Sequence, residues 1–268
     1  MEKKTIVITG STRGIGNGLA VEFLKAGHQV VINGRDPEKV ARAVAKLKDS
    51  CSGEVVGVTG NIGDPETHEK LINKAVNFFG KIDIWINNAG IPQPHTKFAD
   101  IDTEDIKAIT EINIYGLMLG TRAAIQFMSK QGFGKIFNME GFGSDGRMMH
   151  KLGLYGTTKR AVNYFTKTIS NELTGSPVQL GILSPGMVRT EFLDGAREIR
   201  TPDEAKQFKK VYDVLAEDSE VVTKFLVNGI LKSTKHYDRI EFLTKGRLSI
   251  KILKMMVYRV DKKAETVI

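Results

Sequence analysis

At 268 residues, 41% of them hydrophobic, the chain can bury one substantial core, and no repeat, low-complexity tract or Pro/Ser-rich linker divides it. A lone Cys51 excludes an internal disulfide and fits a reducing, cytoplasmic setting, while five His scattered without ligand spacing argue against a metal site. The net charge of +8 has no companion feature pointing to nucleic acid, and no stretch is apolar and long enough to span a bilayer.

Met1-Glu-Lys-Lys leads directly into Thr5-Ile-Val-Ile-Thr9, a β-branched apolar run that predicts a buried strand and an expectation of no signal or transit segment. The glycine turn TGSTRGIG, Thr9 to Gly16, follows and opens a helical pattern from Ile15 to Lys25. Strand, tight turn and helix start together predict an anion cradle. Gly10 permits the turn, and Gly14 and Gly16 let backbone N–H groups approach a pyrophosphate at the positive end of the helix dipole. The spacing is GxxxGxG rather than GxGxxG, which points to one branch of dinucleotide enzymes. The second strand, Gln29 to Asn33, ends in Asn33-Gly34-Arg35. A carboxylate there would hold the ribose 2′-OH of NAD, whereas Arg35 accommodates a 2′-phosphate and Arg13 adds a second cation, so the expected cofactor is NADP(H).

Asp83-Ile-Trp-Ile-Asn-Asn-Ala-Gly90 is a strand running into Asn-Asn-Ala-Gly, and a long apolar helix pattern extends from about Thr103 to Met128. Asn113 inside it is a poor choice by propensity, because its amide competes for backbone hydrogen bonds, and this suggests a functional reason. Tyr155 and Lys159 stand at i, i+4 in Tyr-Gly-Thr-Thr-Lys. On a helix their Cβ atoms lie about 5–6 Å apart, so the ammonium should favour the phenolate and lower the phenol pKa from ~10, tuning a proton donor. Strands alternate with helices for most of the length, which predicts a single doubly wound α/β domain of Rossmann type with a parallel sheet over residues 1–268.

The segment 190–217 is long, charged and helix-prone, and reads as a lid over the substrate. Phe142, Met148, Met149, Met187 and Phe192 are either pocket walls or plain core. Residues 235–268 hold nine Lys/Arg against four Asp/Glu. There Leu248, Ile252, Met255 and Met256 fall on one helical face with Lys251, Lys254 and Arg259 near its borders. Such a helix can lie peripherally on an anionic membrane surface, bind a partner, or pack on its own domain or a sister subunit.

Together TGxxxGxG, NNAG, Asn113, the YxxxK of Tyr155 and Lys159, and Ser184-Pro-Gly186 resemble the short-chain dehydrogenase/reductase family in content, order and spacing. The resemblance covers essentially the whole chain. Gly134 to Arg147, DIWINNAG, LSPGMV at Leu183 to Val188, VLAED at Val214 to Asp218 and the tail around Phe242 to Arg247 look, more narrowly, like the chlorophyll(ide) b reductases. Those enzymes reduce the C7 formyl group of a chlorophyll to hydroxymethyl with NADPH.

The resemblance implies NADPH lying across the C-terminal strand ends, held by Gly10, Ser11, Arg13, Gly14, Ile15, Gly16, Asn33 and Arg35, with Asn61 and Ile62 at the adenine edge. It places Asn88, Ala89 and Gly90 beside the cofactor. Lys159 would bond the nicotinamide ribose, and Pro185, Gly186, Val188 and Thr190 would orient the nicotinamide. Hydride would pass to a carbonyl carbon while Tyr155 protonates the oxygen and Asn113 positions a water that reconnects Lys159 to solvent. A homo-oligomer and a bulky, tetrapyrrole-like substrate are also implied. One departure stands out. The strand ending at Met139 is normally followed by a Ser pair whose second member polarises the carbonyl, and here the positions read Glu140 and Gly141. Ser144 or the loop backbone would take that role. Glu140 reads as a proton relay or as a loop carboxylate answering Arg147 or Lys151. Alternative readings are a reductase of a steroid, lipid or quinone carbonyl, or an NADP-binding sensor with little turnover.

Overall fold

The computed structural model describes residues 2–190, 201–244, 246–249 and 251. Seven strands form one parallel sheet: β1 (Thr5–Ile8), β2 (Gln29–Gly34), β3 (Val55–Thr59), β4 (Ile84–Asn87), β5 (Gly134–Met139), β6 (Val178–Ser184) and β9 (Arg239–Glu241). Their order is β3-β2-β1-β4-β5-β6-β9, so the winding reverses between β1 and β4. A reversal of this kind opens a crevice beyond the C-terminal strand ends, where ligands of such sheets bind. The short strands β7 (Val188–Arg189) and β8 (Glu217–Asp218) form a separate parallel pair.

Strand pleat decides the two layers. Alternate residues of β1 face opposite sides, and Ile6 and Ile8 join one apolar cluster while Val7 joins the other. The first cluster takes in Leu19, Ala20, Phe23 and Leu24 of α1 (Gly14–Lys25), Ala43 and Leu47 of α2 (Pro37–Ser50), and Val222, Leu226 and Ile230 of α8 (Ser219–Lys232). The second takes in Leu71 and Ala75 of α3 (Pro65–Phe79) and Ala124 and Met128 of α5 (Leu117–Gln131), with Ile169 of α6 (Gly153–Glu172) against it. The sheet is therefore covered on both faces, which is why its strands read as unbroken apolar runs.

One sequence-based boundary needs correction. The pattern from Thr103 to Met128 is not one regular helix. It comprises α4 (Thr103–Thr110), a π-helical segment Glu111–Gly116 and α5, ending at Gln131. The widened turn turns Asn113 inward and buries it completely. Single π turns inside helices are frequent at functional sites. Below it, Asn87 donates to Thr121 Oγ1 (3.0 Å) and Asn138 Oδ1 (2.8 Å), and Asn138 donates to Thr166 Oγ1 (3.0 Å). This buried polar chain ties β4 and β5 to α5 and α6. Of the remaining elements, α7 (Pro202–Leu215) starts with a capping box between Thr201 and Glu204.

His68 of α3 is buried against Trp85, its ring centroid 6.2 Å away, and its Nε2 lies 2.8 Å from the Ile62 carbonyl oxygen. With a carbonyl as partner Nε2 is the donor. Protonation would put a second hydrogen on Nδ1, which is buried without an acceptor. Burial accordingly pushes the His68 pKa below its ordinary value, and His28 likewise. A depressed imidazole leaves stability intact above about pH 6.5 and withdraws it as pH falls through the depressed folded value. The Tm should therefore decline below about pH 6.5, and His68→Gln, which keeps a donor for Ile62, should lose part of that decline. Identical pH profiles for wild type and variant in differential scanning calorimetry would refute the assignment.

Candidate active site

The glycine turn is built from below by side chains predicted to touch a cofactor. Ser11 is fully buried; its hydroxyl donates to the Ile8 carbonyl (2.6 Å) and accepts from Asn33 N (2.9 Å). Asn33 accepts from Gly10 N (3.2 Å) and donates to the carbonyls of Val58 and Gly60. Asn88 donates to Thr9 O and Gly10 O, both at 2.9 Å. A Cβ on Gly16 would stand 2.4 Å from Asn88 Nδ2, and one on Gly10 would stand 2.7 Å from Ala89 Cα. Ser11, Asn33, Asn88 and Ala89 thus shape the turn with their side chains.

The open part of the cradle is at Gly14. Its φ is +57°, a left-handed conformation that favours glycine. A Cβ there would meet nothing nearer than Thr190 Cγ2 at 3.9 Å. No side chain caps α1, so the first-turn N–H groups of Gly14, Ile15 and Gly16 are available to an anion. Arg13 and Arg35 are exposed at the rim. Asp36, the acid nearest the end of β2, is spent on capping α2 through Glu38 N and Lys39 N. The donor set therefore fits a dinucleotide carrying a phosphate on its ribose. Farther along the crevice, Asn61 bonds Glu111 (3.4 Å) and Gly63 N (3.2 Å), and Ile62 is buried against Gly116. On the opposite side Gly186 abuts Leu243, Pro185 and Val188 are buried, and Thr190 closes over Gly14.

Asn113 and the end of β4 are locked reciprocally: Asn113 Oδ1 accepts from Ile91 N (2.8 Å) and its Nδ2 donates to Ile91 O (3.0 Å) and to Thr158 Oγ1 (3.2 Å). Thr158 in turn donates to the Tyr155 carbonyl (2.7 Å). A Cβ on Gly90 would lie 3.3 Å from Asn113 Oδ1 and 3.5 Å from Lys159 Nζ, so these two heads converge on Gly90. Lys159 is buried, donates to the Met139 carbonyl at 3.3 Å, and lies 5.6 Å from the centre of the Tyr155 ring. The sequence thus brings Asn113, Tyr155 and Lys159 together as expected.

The electrostatics differ from expectation. Burial pushes the Tyr155 phenol well above its ordinary value, not below it. Removing a phenolate from water costs more than an ammonium beyond the ring returns. Lys159 moves the other way: burial lowers it to about 8, opposed by the negative charge of Glu140.

The loop after β5 departs furthest from the sequence reading. Glu140 answers neither Arg147, which pairs with Asp145, nor Lys151, which pairs with Glu204 at 2.7 Å. Its carboxylate is buried and takes Arg239, Asn163 and the Ser144 hydroxyl. Ser144 is thereby turned to Glu140 at 3.2 Å. At Gly141 a Cβ would stand 2.3 Å from Tyr155 Oη, so the phenol fills the space that a side chain on residue 141 would need. Phe142 and Met187 are half-buried. Met148 and Met149 are 95% and 40% exposed, so neither belongs to the core. Phe192 and lid residues 191–200 lie outside the described residues, as do Ile252, Lys254, Met255, Met256 and Arg259 of the tail.

Gln93, which sequence reasoning missed, anchors the start of α6. It is buried, accepts from Tyr155 N (2.6 Å) and donates to the carbonyl of Lys151 (2.7 Å), a residue held at φ +61°. A lone glutamine in a loop carries no motif; only the fold shows its role.

A sequence profile described as short chain dehydrogenase matches residues 4–200. A chlorophyll(ide) b reductase, chloroplastic, of Arabidopsis thaliana is 42% identical over 231 residues, 84% of this chain and 64% of the relative. A probable chlorophyll(ide) b reductase, chloroplastic, of Oryza sativa subsp. japonica is 33% identical over 273 residues, 96% of this chain and 53% of the relative. The chain spans roughly half to two thirds of the length of these relatives. Among solved structures, 3-ketoacyl-(acyl-carrier-protein) reductase from Brucella melitensis complexed with NADH is similar at TM-score 0.78 and 26% identity, covering 92% of this chain and 99% of that one.

The contact at Gly141 yields a direct test. In a crystal structure of Gly141→Ser, Tyr155 Oη should be displaced by about 1 Å or more, since non-bonded atoms need roughly 3.5 Å. A phenol left in its original place beside the new side chain would disprove the close approach.

Proposed function

The chain belongs to the short-chain dehydrogenase family, and from that premise we propose that it is an NADPH-dependent reductase of a formyl group on a bulky, chlorophyll-like pigment. The observation that carries the reading is the convergence of Asn113 and Lys159 on Gly90, with the Tyr155 phenol standing over Gly141. The 42% identity to a chlorophyll(ide) b reductase supports the pigment as substrate.

The uncapped start of α1 and Gly14 would hold the pyrophosphate, and Arg13 and Arg35 the ribose phosphate. NADPH supplies a hydride when bound. Tyr155, kept as a neutral phenol by burial, donates its proton to the carbonyl oxygen. The Lys159 ammonium then stabilises the phenolate left behind, while Asn113 holds the 88–91 segment in place beside it. To polarise the carbonyl, Ser144 would have to leave Glu140, so its hydroxyl is assigned to shaping the loop. Residues 190–217 serve as the lid, latched to the site by Lys151 and Glu204. This reading includes a cytoplasmic homo-oligomer that reaches an apolar pigment at a membrane surface through residues 235–268, although the two relatives are named chloroplastic. No described helix is long and apolar enough to cross a membrane.

Purified protein with NADPH should convert chlorophyll b or chlorophyllide b to the 7-hydroxymethyl product, followed by absorption spectroscopy, and faster than it reduces small aldehydes. Tyr155→Phe should lose at least ~10²-fold in rate with NADPH affinity retained. Turnover of steroid ketones or quinones with the pigments ignored would replace the substrate and keep the chemistry. The cofactor is checked separately: Arg35→Ala should erase most of the preference for NADPH over NADH, worth about 1.5–3 kcal/mol, in fluorescence titrations. Equal affinities in the wild type would reject the 2′-phosphate site.

A further inference from the structure

We propose that Glu140 is a positioning residue of the reduction site: its single buried carboxylate binds Asn163 of α6, Ser144 of the substrate loop and Arg239 of the edge strand, and so fixes these elements around Lys159. The inference rests on the reductase reading for its catalytic meaning but on geometry for its existence.

Glu140 follows β5 directly, and its N–H donates to the Leu183 carbonyl at 2.9 Å, which ties its backbone to β6. The preceding residue, Met139, supplies the carbonyl that holds Lys159 Nζ. Glu140 therefore sets its carboxylate one residue from the anchor of the catalytic ammonium. Arg239 spreads its guanidinium over three acceptors: Glu140, the Ser184 hydroxyl at 3.4 Å and Glu241 at 3.6 Å. Ser184 leads directly into Pro185 and Gly186, so the same pair ties the β5 loop to the β6 loop that would face the nicotinamide.

A buried ion pair is weak evidence for stability, because well-packed apolar residues often do as well. Its value here is electrostatic and geometric. The charged and titratable groups that act on the carboxylate are Lys159 of α6, Tyr237 before β9 and Arg239 within it, and Asp238 and Glu241 act in turn on that phenol and that guanidinium. Arg160 donates to the Ser144 carbonyl at 2.9 Å, and Glu140 and Asp238 both raise the burial-shifted Tyr237 phenol. The negative charge of Glu140 opposes the effect of burial on Lys159, so the ammonium survives to about pH 8. Activity that needs this ammonium is complete below that value and is lost as pH rises through it.

The experiment uses full-length protein with NADPH present and [ε-13C]lysine labelling, the Lys159 resonance being assigned through Lys159→Arg. In the wild type the resonance should titrate near 8. In Glu140→Gln the midpoint should fall by roughly half a unit to one unit, and in Glu140→Asp, which keeps the charge, it should return most of the way. The alkaline limb of kcat/KM, with whichever carbonyl compound is turned over, should move by the same amount. An unchanged Lys159 midpoint in a folded Glu140→Gln protein overturns the proposal. So does failure of both Glu140→Gln and Glu140→Ser to give a folded, NADPH-binding protein, because Glu140 would then be a determinant of the fold alone. The titration needs no turnover, so a protein that ignores every pigment still answers this question.

Discussion

A lysine ammonium enclosed by protein is the constraint around which the site is arranged. Lys159 gives up most of its hydration and receives in exchange one carbonyl, from Met139, and the field of a carboxylate one residue farther on. Such an exchange is close to break-even, and its balance decides the protonation state near neutral pH. The π turn that buries Asn113, the reciprocal lock on Ile91 and the glycine at position 90 are ways of bringing polar groups near that cation. For the neighbouring half-buried phenol the consequence is reversed: burial raises its pKa and favours the neutral form.

Glu140 and Gly141 show how two adjacent residues just past a strand end can serve different neighbours. One side chain goes behind the sheet ends into the Arg239 and Asn163 cluster; the other is absent, and the vacated volume belongs to Tyr155 Oη. Restoring a side chain at position 141 would collide with the phenol, and removing the one at 140 would leave a guanidinium and an amide short of their acceptor.

The fold was legible in the sequence because buried parallel strands and glycine turns announce themselves locally. The strands at Thr5 and Gln29, the turn from Thr9 to Gly16 and the Asn113, Tyr155 and Lys159 set all appear where the residues suggested. What was not legible depends on long-range contacts. Arg239 lies 99 positions from Glu140 in the numbering of the chain and offers no pattern linking the two. Gln93 and the Lys151 and Glu204 latch are equally mute until the loops meet. The motif marks Ser11 and Asn33 but not the hydrogen bonds by which they hold the turn. Nor does spacing give the direction of the Tyr155 shift, since it reveals a neighbouring charge but not burial.

The small parallel pair of β7 and β8 has a consequence for how such a protein can diversify. The chain leaves this pair after Arg189 and comes back beside the same point at Glu217–Asp218, with Glu217 N on the Met187 carbonyl. Everything between is an excursion that starts and finishes at one clasp. Closing such an excursion becomes only slowly more expensive with length, about 0.6 kcal/mol for each doubling. Evolution can therefore lengthen, shorten or rewrite the segment between the two strands with little penalty to the sheet.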